Sequence, residues 1–264
     1  MDDRKVLRLI RSYLEAGVMV DGIRQATAEG TPQGSPLSPI LSNIMLDDLD
    51  RELGKRGHRF VRYADDLRVF LRSERAAQRV FDSACGVIEQ RLKLKVNREK
   101  SSIRHAADAT LLGFGFFFNG PQVGIRLAPK AIERLKGRLR ILTRRSWGVA
   151  MEYRIGKLNR FIAGWMGYFR IADSERTLRS LDGWIRRRLR QIRWKEWKTT
   201  AAKRHNLRIR GMSERTARKW AGGSKGYWRV AGSQVLQVAL PNSYWNRLGL
   251  KTLTATRQRL NPAA

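Results

Sequence analysis

Two adjacent aspartates sit between apolar, strand-forming runs in RFVRYADDLRVFLRS, residues 59–73. Val61 and Tyr63 share one parity before the pair, and Leu67, Val69 and Leu71 share one after it. That is the period-two pattern of strands with one buried face. The stretch predicts strand, turn, strand, with Ala64, Asp65 and Asp66 at the turn. Its flanks limit what can surround it. A helical pattern runs through Leu37, Ile40, Leu41, Ile44, Met45, Leu49 and Leu53 and closes near Gly54. A second covers 74–92 through Ala77, Val80, Phe81, Ala84, Ile88 and Leu92. The expected class is α+β: an antiparallel sheet carrying the hairpins, with helices 37–54 and 74–92 on one face.

A tight turn holds neighbouring carboxylates close on stiff backbone. Their charges repel unless a cation joins them or one is protonated. Hard divalent ions take oxygen ligands of this kind, and metal-assisted phosphoryl chemistry uses them. Aspartate also favours turns for local reasons, so the pair by itself leaves an ordinary Asp-rich turn open. Thr31 to Ser35, ahead of the 37–54 helix, is a small polar turn whose backbone donors suit either a phosphate or base pair, or a plain helix cap. Lys100, in LKVNREK, suits a triphosphate contact or a solvated face.

The remaining pattern extends the fold. A helix is expected over 3–16, a short hairpin over 18–28 turning at Asp21-Gly22, a basic loop over 94–104, and a hairpin turning at Asn119-Gly120. Helices follow at about 130–145, 151–170 and 174–197. The last has Leu178, Leu181, Ile185, Leu189 and Ile192 on one face and an arginine row on the other. The tail predicts a short helix at 213–221 and two short strands near 226–239.

Charge divides the chain near residue 129. Residues 1–129 hold 21 basic and 16 acidic side chains, and residues 130–264 hold 33 and 7, so the second part carries +26 of the net +31. All 8 tryptophans lie there too. Such a field calls for a polyanion, with nucleic acid ahead of anionic membrane. The single cysteine, Cys85, forms no intrachain disulfide and fits a buried apolar position, and 3 histidines do not build a structural zinc site. No stretch has the length of a membrane span. A cytoplasmic chain with no membrane partner is expected.

Taken in order, the motifs resemble those of bacterial group II intron reverse transcriptase–maturase proteins. RYADD at 62–66 looks like the catalytic hairpin, EGTPQGSPLSPILSN at 29–43 the template- and nucleotide-contacting motif, LKLKVNREKS at 92–101 the following palm motif, and LGFGF at 112–116 the primer-grip hairpin. RLKGRLRILTRR through GWIRRRLRQIRWKEWK resembles the maturase, or thumb, domain. The resemblance implies a partial reverse transcriptase palm over 1–128, a helical maturase domain over 129–198 and its basic extension over 199–264. It implies RNA-templated DNA synthesis with a magnesium pair, on an RNA template with a DNA primer and dNTPs, and assistance to splicing of a structured intron RNA.

By the same resemblance, Asp65 and Asp66 are the metal-binding and catalytic carboxylates. Tyr63 lies under the incoming nucleotide or primer end, and Gln33, Gly34 and Pro36 line the template–nucleotide pair. Lys100 stands near the triphosphate. Leu112, Gly113 and Phe114 support the primer terminus. Arg186, Arg187, Arg188, Arg190, Arg193 and Lys195 are expected to grip RNA, while Trp165 and Trp184 fit the core better than base stacking.

The family pattern also has fingers and an early palm strand with another metal-binding aspartate. Asp2 and Asp3 open a helical segment and do not fit that place. The expectation is therefore a C-terminal fragment, whether an incomplete gene product, a degenerated element or half of a split protein, that binds structured RNA and polymerises poorly or not at all alone; a separate N-terminal reverse transcriptase fragment is a candidate partner. The alternative is a non-catalytic RNA-binding module that assists splicing. No appended zinc nuclease is expected.

Overall fold

The computed structural model describes residues 3–20, 23–25 and 37–261. The chain forms two compact units, residues 1–105 and 106–264. The break falls ahead of the change in composition at 128/129, because the 110–127 strands pack with the helices that follow them.

The first unit opens with α1 (Arg4–Glu15), whose N-terminal amides are capped by Asp3: Lys5 N–H donates to Oδ1 at 2.8 Å. Asp3 is thus a helix cap. Strands β1 (Val18–Val20) and β2 (Ile23–Gln25) pair antiparallel, and the expected turn at Asp21-Gly22 lies outside the described residues. Helix α2 (Ser38–Lys55) admits Pro39 in its first turn, where no amide donor is needed. Strands β3 (Arg59–Tyr63) and β4 (Asp66–Phe70) form the expected hairpin. Helix α3 (Glu74–Gly86) follows, capped by Ser73, and runs into a wider turn over Val87–Arg91 where Leu92 N–H reaches back to Val87 C=O at 3.0 Å.

Leu49, Leu53 and Leu92 are the buried centre of this unit. Phe60, Leu67, Val69, Val80 and Ile88 pack against them, so α2 and α3 cover one face of the hairpin. The register pairs Phe60 with Val69 and Arg62 with Leu67, which puts these four on the covered face. Val61 and Tyr63 fall on the opposite, exposed face. Apolar parity therefore changes sides between the two strands. Among the described residues the hairpins remain separate small sheets: β1–β2, β3–β4, and one of three strands in the second unit.

That third sheet has order β5 (Thr110–Leu111), β6 (Phe114–Asn119), β7 (Gln122–Leu127), all antiparallel. Asn119 pairs with Gln122, so the turn residues are Gly120 and Pro121, one position beyond the expected pair. Helices α4 (Pro129–Leu142), α5 (Met151–Phe169) and α6 (Glu175–Glu196) match the expected trio. Leu139, Leu158, Ile162 and Leu189 make their common core fully inaccessible. The tail is helical throughout: α7 (Thr200–Arg208), α8 (Glu214–Ala221), α9 (Tyr227–Ala231), α10 (Gln234–Ala239), α11 (Asn242–Arg247) and α12 (Leu253–Leu260). The strands expected near 226–239 are α9 and α10. Their valines and aromatics read as strand formers, but Ser233 caps α10, and Val230, Ala231, Leu236 and Ala239 bury one helical stripe in the core. The mixed α+β class holds, with helix dominant.

Buried polar groups fix the helical unit. Asp182 on α6, 3% exposed, accepts from Leu253 N–H at 2.7 Å and from Thr254 N–H and hydroxyl at 3.1 and 2.8 Å, which docks the start of α12. Arg154 on α5, 1% exposed, donates to the carbonyls of Leu142, Arg144 and Trp147 at 3.0, 3.2 and 2.6 Å. Desolvation lowers its pKa from the usual arginine value.

Candidate functional site

Tyr63 pairs with Asp66, so the β3–β4 turn consists of Ala64 and Asp65 alone. Ala64 has φ +53°, and Asp65 does not share the positive value. A two-residue hairpin with positive φ at its first central position normally carries glycine there. The β6–β7 turn does so, with Gly120 at φ +57°. Holding alanine in that conformation costs roughly 1 kcal/mol and needs support from outside the turn.

Arg62 supplies it. Its guanidinium lies on the helix-covered face, where Nε and Nη2 meet the Asp50 carboxylate of α2 at 2.9 and 2.5 Å. Nη1 donates to Asn43 Oδ1 at 2.7 Å and to the carbonyl of Ala64 at 2.9 Å. One side chain thereby ties the turn's own backbone to two positions on α2. The hydrogen bonds to Asp50 raise the Arg62 pKa above its usual value. Sequence reasoning passed over Arg62. The available signal was a charged residue at a strand position sharing a face with Leu67, which calls for a polar partner beneath it.

With the turn fixed from below, Asp65 and Asp66 point into solvent and Tyr63, 61% exposed, stands on the outer face beside them. Arg68 approaches Asp66 at 3.2 Å. Two exposed carboxylates, one of them also paired with Arg68, suit a hard divalent cation. Among the described residues, no three Asp, Glu, His or Cys side chains are gathered in one place, so the pair fits as part of a ligand set. Lys100 is exposed on the loop after α3, where its amide donates to the Asn97 side chain at 3.1 Å. Gln33, Gly34 and Pro36 lie outside the described residues.

The expected primer-grip residues form a second strained turn, in the other unit. Leu111 pairs with Phe114, leaving Leu112 and Gly113 as turn residues with φ +52° and +85°. The Leu112 carbonyl accepts from Tyr168 Oη at 3.0 Å, and Phe114 stacks on Tyr168 with centroids 5.5 Å apart. A Cβ at Gly113 would come within 3.1 Å of the Phe169 ring. The turn is therefore seated on the end of α5, with Leu112 at its exposed tip.

The arginine row of α6 is not the open face the sequence suggested. Arg190 is buried and donates to the Leu240 carbonyl at 3.2 Å; desolvation, aided by Arg186, lowers its pKa to about 10. It is not placed to reach a ligand. Arg188 Nε donates to Thr143 Oγ1 at 2.5 Å, and Arg187 lies over the Trp228 ring at 4.1 Å and donates to its carbonyl. Arg193 is paired with Glu196 at 2.7 Å. Arg186 is half-buried, and Lys195 is the exposed member of the row. Trp165 and Trp184 pack against the core as expected. The reason is that α6 is covered on several sides, so its cations are partly used to satisfy carbonyls of neighbouring segments.

Comparison with known proteins divides the chain in the same order. Residues 2–116 match the family described as reverse transcriptase (RNA-dependent DNA polymerase), and residues 132–211 match the group II intron, maturase-specific domain. Protein YkfC of Escherichia coli K12 is 29% identical over 154 residues, covering 46% of this chain and 39% of that protein. The group II intron-encoded protein LtrA of Lactococcus lactis subsp. cremoris is 45% identical over 49 residues, 19% of this chain and 8% of LtrA. An uncharacterized 91 kDa protein in the cob intron of Schizosaccharomyces pombe is 46% identical over 48 residues, 18% of this chain and 6% of that protein. The chain spans well under half the length of these relatives. With a reverse transcriptase match over residues 2–116 followed by a maturase-specific one over 132–211, the chain belongs to the group II intron reverse transcriptase/maturase family.

Proposed function

We propose that this chain supplies the catalytic hairpin and the RNA-holding helical domain for RNA-directed DNA synthesis from a group II intron, and that it assists splicing of that intron's RNA. The observation that carries the reading is the Arg62-supported turn, which presents two carboxylates to solvent on a backbone that stays put. In this reading Asp65 and Asp66 hold magnesium together with a further ligand from outside the described residues. The metal, when bound, neutralises the phosphates and favours ionisation of the primer 3′-hydroxyl. Tyr63 underlies the nucleotide or primer end, and Lys100 adds positive charge near the triphosphate. The Leu112–Phe114 turn steadies the primer terminus, and Gln33, Gly34 and Pro36 line the template–nucleotide pair. The partners are structured intron RNA, an RNA template with a DNA primer, dNTPs and an N-terminal reverse transcriptase segment on the same or another chain, in the cytoplasm. Among the described residues no helix is long and apolar enough to cross a membrane.

A second reading is an RNA-binding module that assists splicing without polymerising. It is favoured by a site with two carboxylates among the described residues, in a chain whose helical unit has a complete core of its own. Primer extension on an RNA template with magnesium separates the two. The chain is assayed with and without an added fingers-plus-early-palm fragment, with Asp65→Asn/Asp66→Asn as the blank. Synthesis only with the fragment supports the polymerase reading. No synthesis in either mixture, with salt-sensitive RNA binding retained, supports the module.

A further inference from the structure

The segment joining α4 to α5 gives five carbonyls to three cations, Arg154 and Arg188 from its protein side and the exposed Lys195 at its rim. Arg154 takes those of Leu142, Arg144 and Trp147. Arg188 takes that of Thr143 at 3.2 Å, and Lys195 takes that of Arg145 at 3.1 Å. With these acceptors occupied, the segment presents Arg144, Arg145 and Ser146 outward. Together with Arg188, Gln191 and Lys195 of α6 they line an open cleft of about 430 Å³. No carboxylate lines it. Four cations around one concavity repel each other unless an anion joins them, and planar guanidinium forks match the oxygens of a phosphate group. Arg145 also lies over the Tyr227 ring, 4.7 Å from its centroid, and Tyr227 as a residue is 37% exposed. A basic concavity beside an accessible aromatic face suits a polynucleotide, which offers a phosphate and a base together, better than a free anion.

We infer that this cleft is an anchoring site for a backbone phosphodiester of bound RNA, with Arg144, Arg145 and Lys195 as its outer contacts and Tyr227 alongside for a neighbouring base. The inference rests on the RNA-binding part of the proposed function. It differs from a general basic surface in predicting that position, not charge count, sets the effect of a substitution.

The test measures binding of a short fluorescent RNA hairpin by anisotropy across a KCl titration, using the full chain. Arg144→Gln/Arg145→Gln is compared with Arg215→Gln/Arg218→Gln, an exposed pair on α8 that removes equal charge elsewhere. Both pairs are exposed, and circular dichroism with thermal melting confirms that each variant is folded. The cleft pair is expected to weaken binding about tenfold and to lower the salt slope by roughly one to two, with a much smaller effect from the α8 pair. Lys195→Gln should reproduce part of the loss. Tyr227→Ala should weaken binding with the slope unchanged, as stacking does. Equal losses from the two arginine pairs would overturn the site while leaving RNA binding intact. No hairpin binding by the unmodified chain would instead fail the RNA-binding reading itself, and the site with it. Inorganic phosphate forms a separate arm at matched ionic strength. If it raises the melting temperature of the unmodified chain alone, while both chains bind the hairpin equally, the cleft holds free phosphate and the RNA assignment is wrong.

Discussion

Arg62 and Asp50 meet side on, with Nη2 2.5 Å from Oδ2 and Nε 2.9 Å from Oδ1, and the same guanidinium holds the carbonyl of Ala64 at 2.9 Å. The turn between Tyr63 and Asp66 is thus braced through its own backbone by a helix on the far face of the hairpin. Arg62→Lys keeps the charge but cannot span Asp50, Asn43 and Ala64 at once. We expect a loss of about 1–2 kcal/mol in urea unfolding. In the complemented extension reaction, synthesis should fall about tenfold or more through misplacement of Asp65 and Asp66. Hairpin RNA affinity should stay as it was, so a parallel loss of RNA binding would show that Arg62 acts otherwise.

The two glycine-bearing turns of the second unit separate conformation from crowding. Gly113 has φ +85° and the Phe169 ring 3.1 Å from where a Cβ would stand; Gly120 has φ +57° and open space. Gly120→Ala should cost about 1 kcal/mol. Gly113→Ala should cost roughly twice that, because the aromatic seat on α5 must also give way. Thermal melts of the two single variants check the ordering.

Removing the Asp182 carboxylate leaves two amides and a hydroxyl at the start of α12 without their acceptor. Asp182→Ala should destabilise the helical unit by about 3 kcal/mol. Hydrogen exchange should place the first loss of protection at Leu253 and Thr254. Uniform loss across the unit, with no early opening there, would contradict a docking role.

Arg190 gives a pH dependence of definite sign. Its folded pKa, about 10, lies below the ordinary arginine value, so burial of the charged form opposes folding below pH 10. As pH rises through 10 the folded state releases this proton before the unfolded state does, and stability rises. Relative to Arg190→Met, the unmodified chain should gain roughly 1 kcal/mol between pH 9 and 11. At pH 7 the methionine variant should be of similar stability, with an unchanged RNA salt slope. Urea unfolding at the two pH values, with anisotropy at pH 7, tests both statements.

Helices 37–54, 74–92 and the 130–197 trio were legible because their apolar residues repeat at helical spacing; the trio's stripe lies in the core, whereas on the 37–54 helix Leu49 and Leu53 are buried and Ile40, Ile44 and Met45 stay exposed. The hairpin at 59–73 was legible from alternation and turn residues. Residues 226–239 were not: valines and aromatics suggest strands locally, and the Ser233 cap together with burial of one helical stripe in the core decides for helix. The arginine row of α6 misled for a related reason. A helix read alone has one apolar and one polar face, and nothing local announces that neighbours will also cover Arg190 and half-cover Arg188. Asp65 and Asp66 could be named from sequence. Arg62, Asn43 and Asp50 could not, since their convergence requires the helix-on-hairpin packing itself.

The inward-facing guanidinium groups of Arg154, Arg188 and Arg190 split the domain's positive charge into two populations with different responses to solvent. Mobile ions reach the cations on the surface, but barely reach those bonded to carbonyls inside. In the proposed complex, a salt wash strong enough to strip RNA from Arg144, Arg145 and Lys195 would therefore leave the Arg154, Arg188 and Arg190 struts of the helical unit in place, and protein and RNA would part without unfolding.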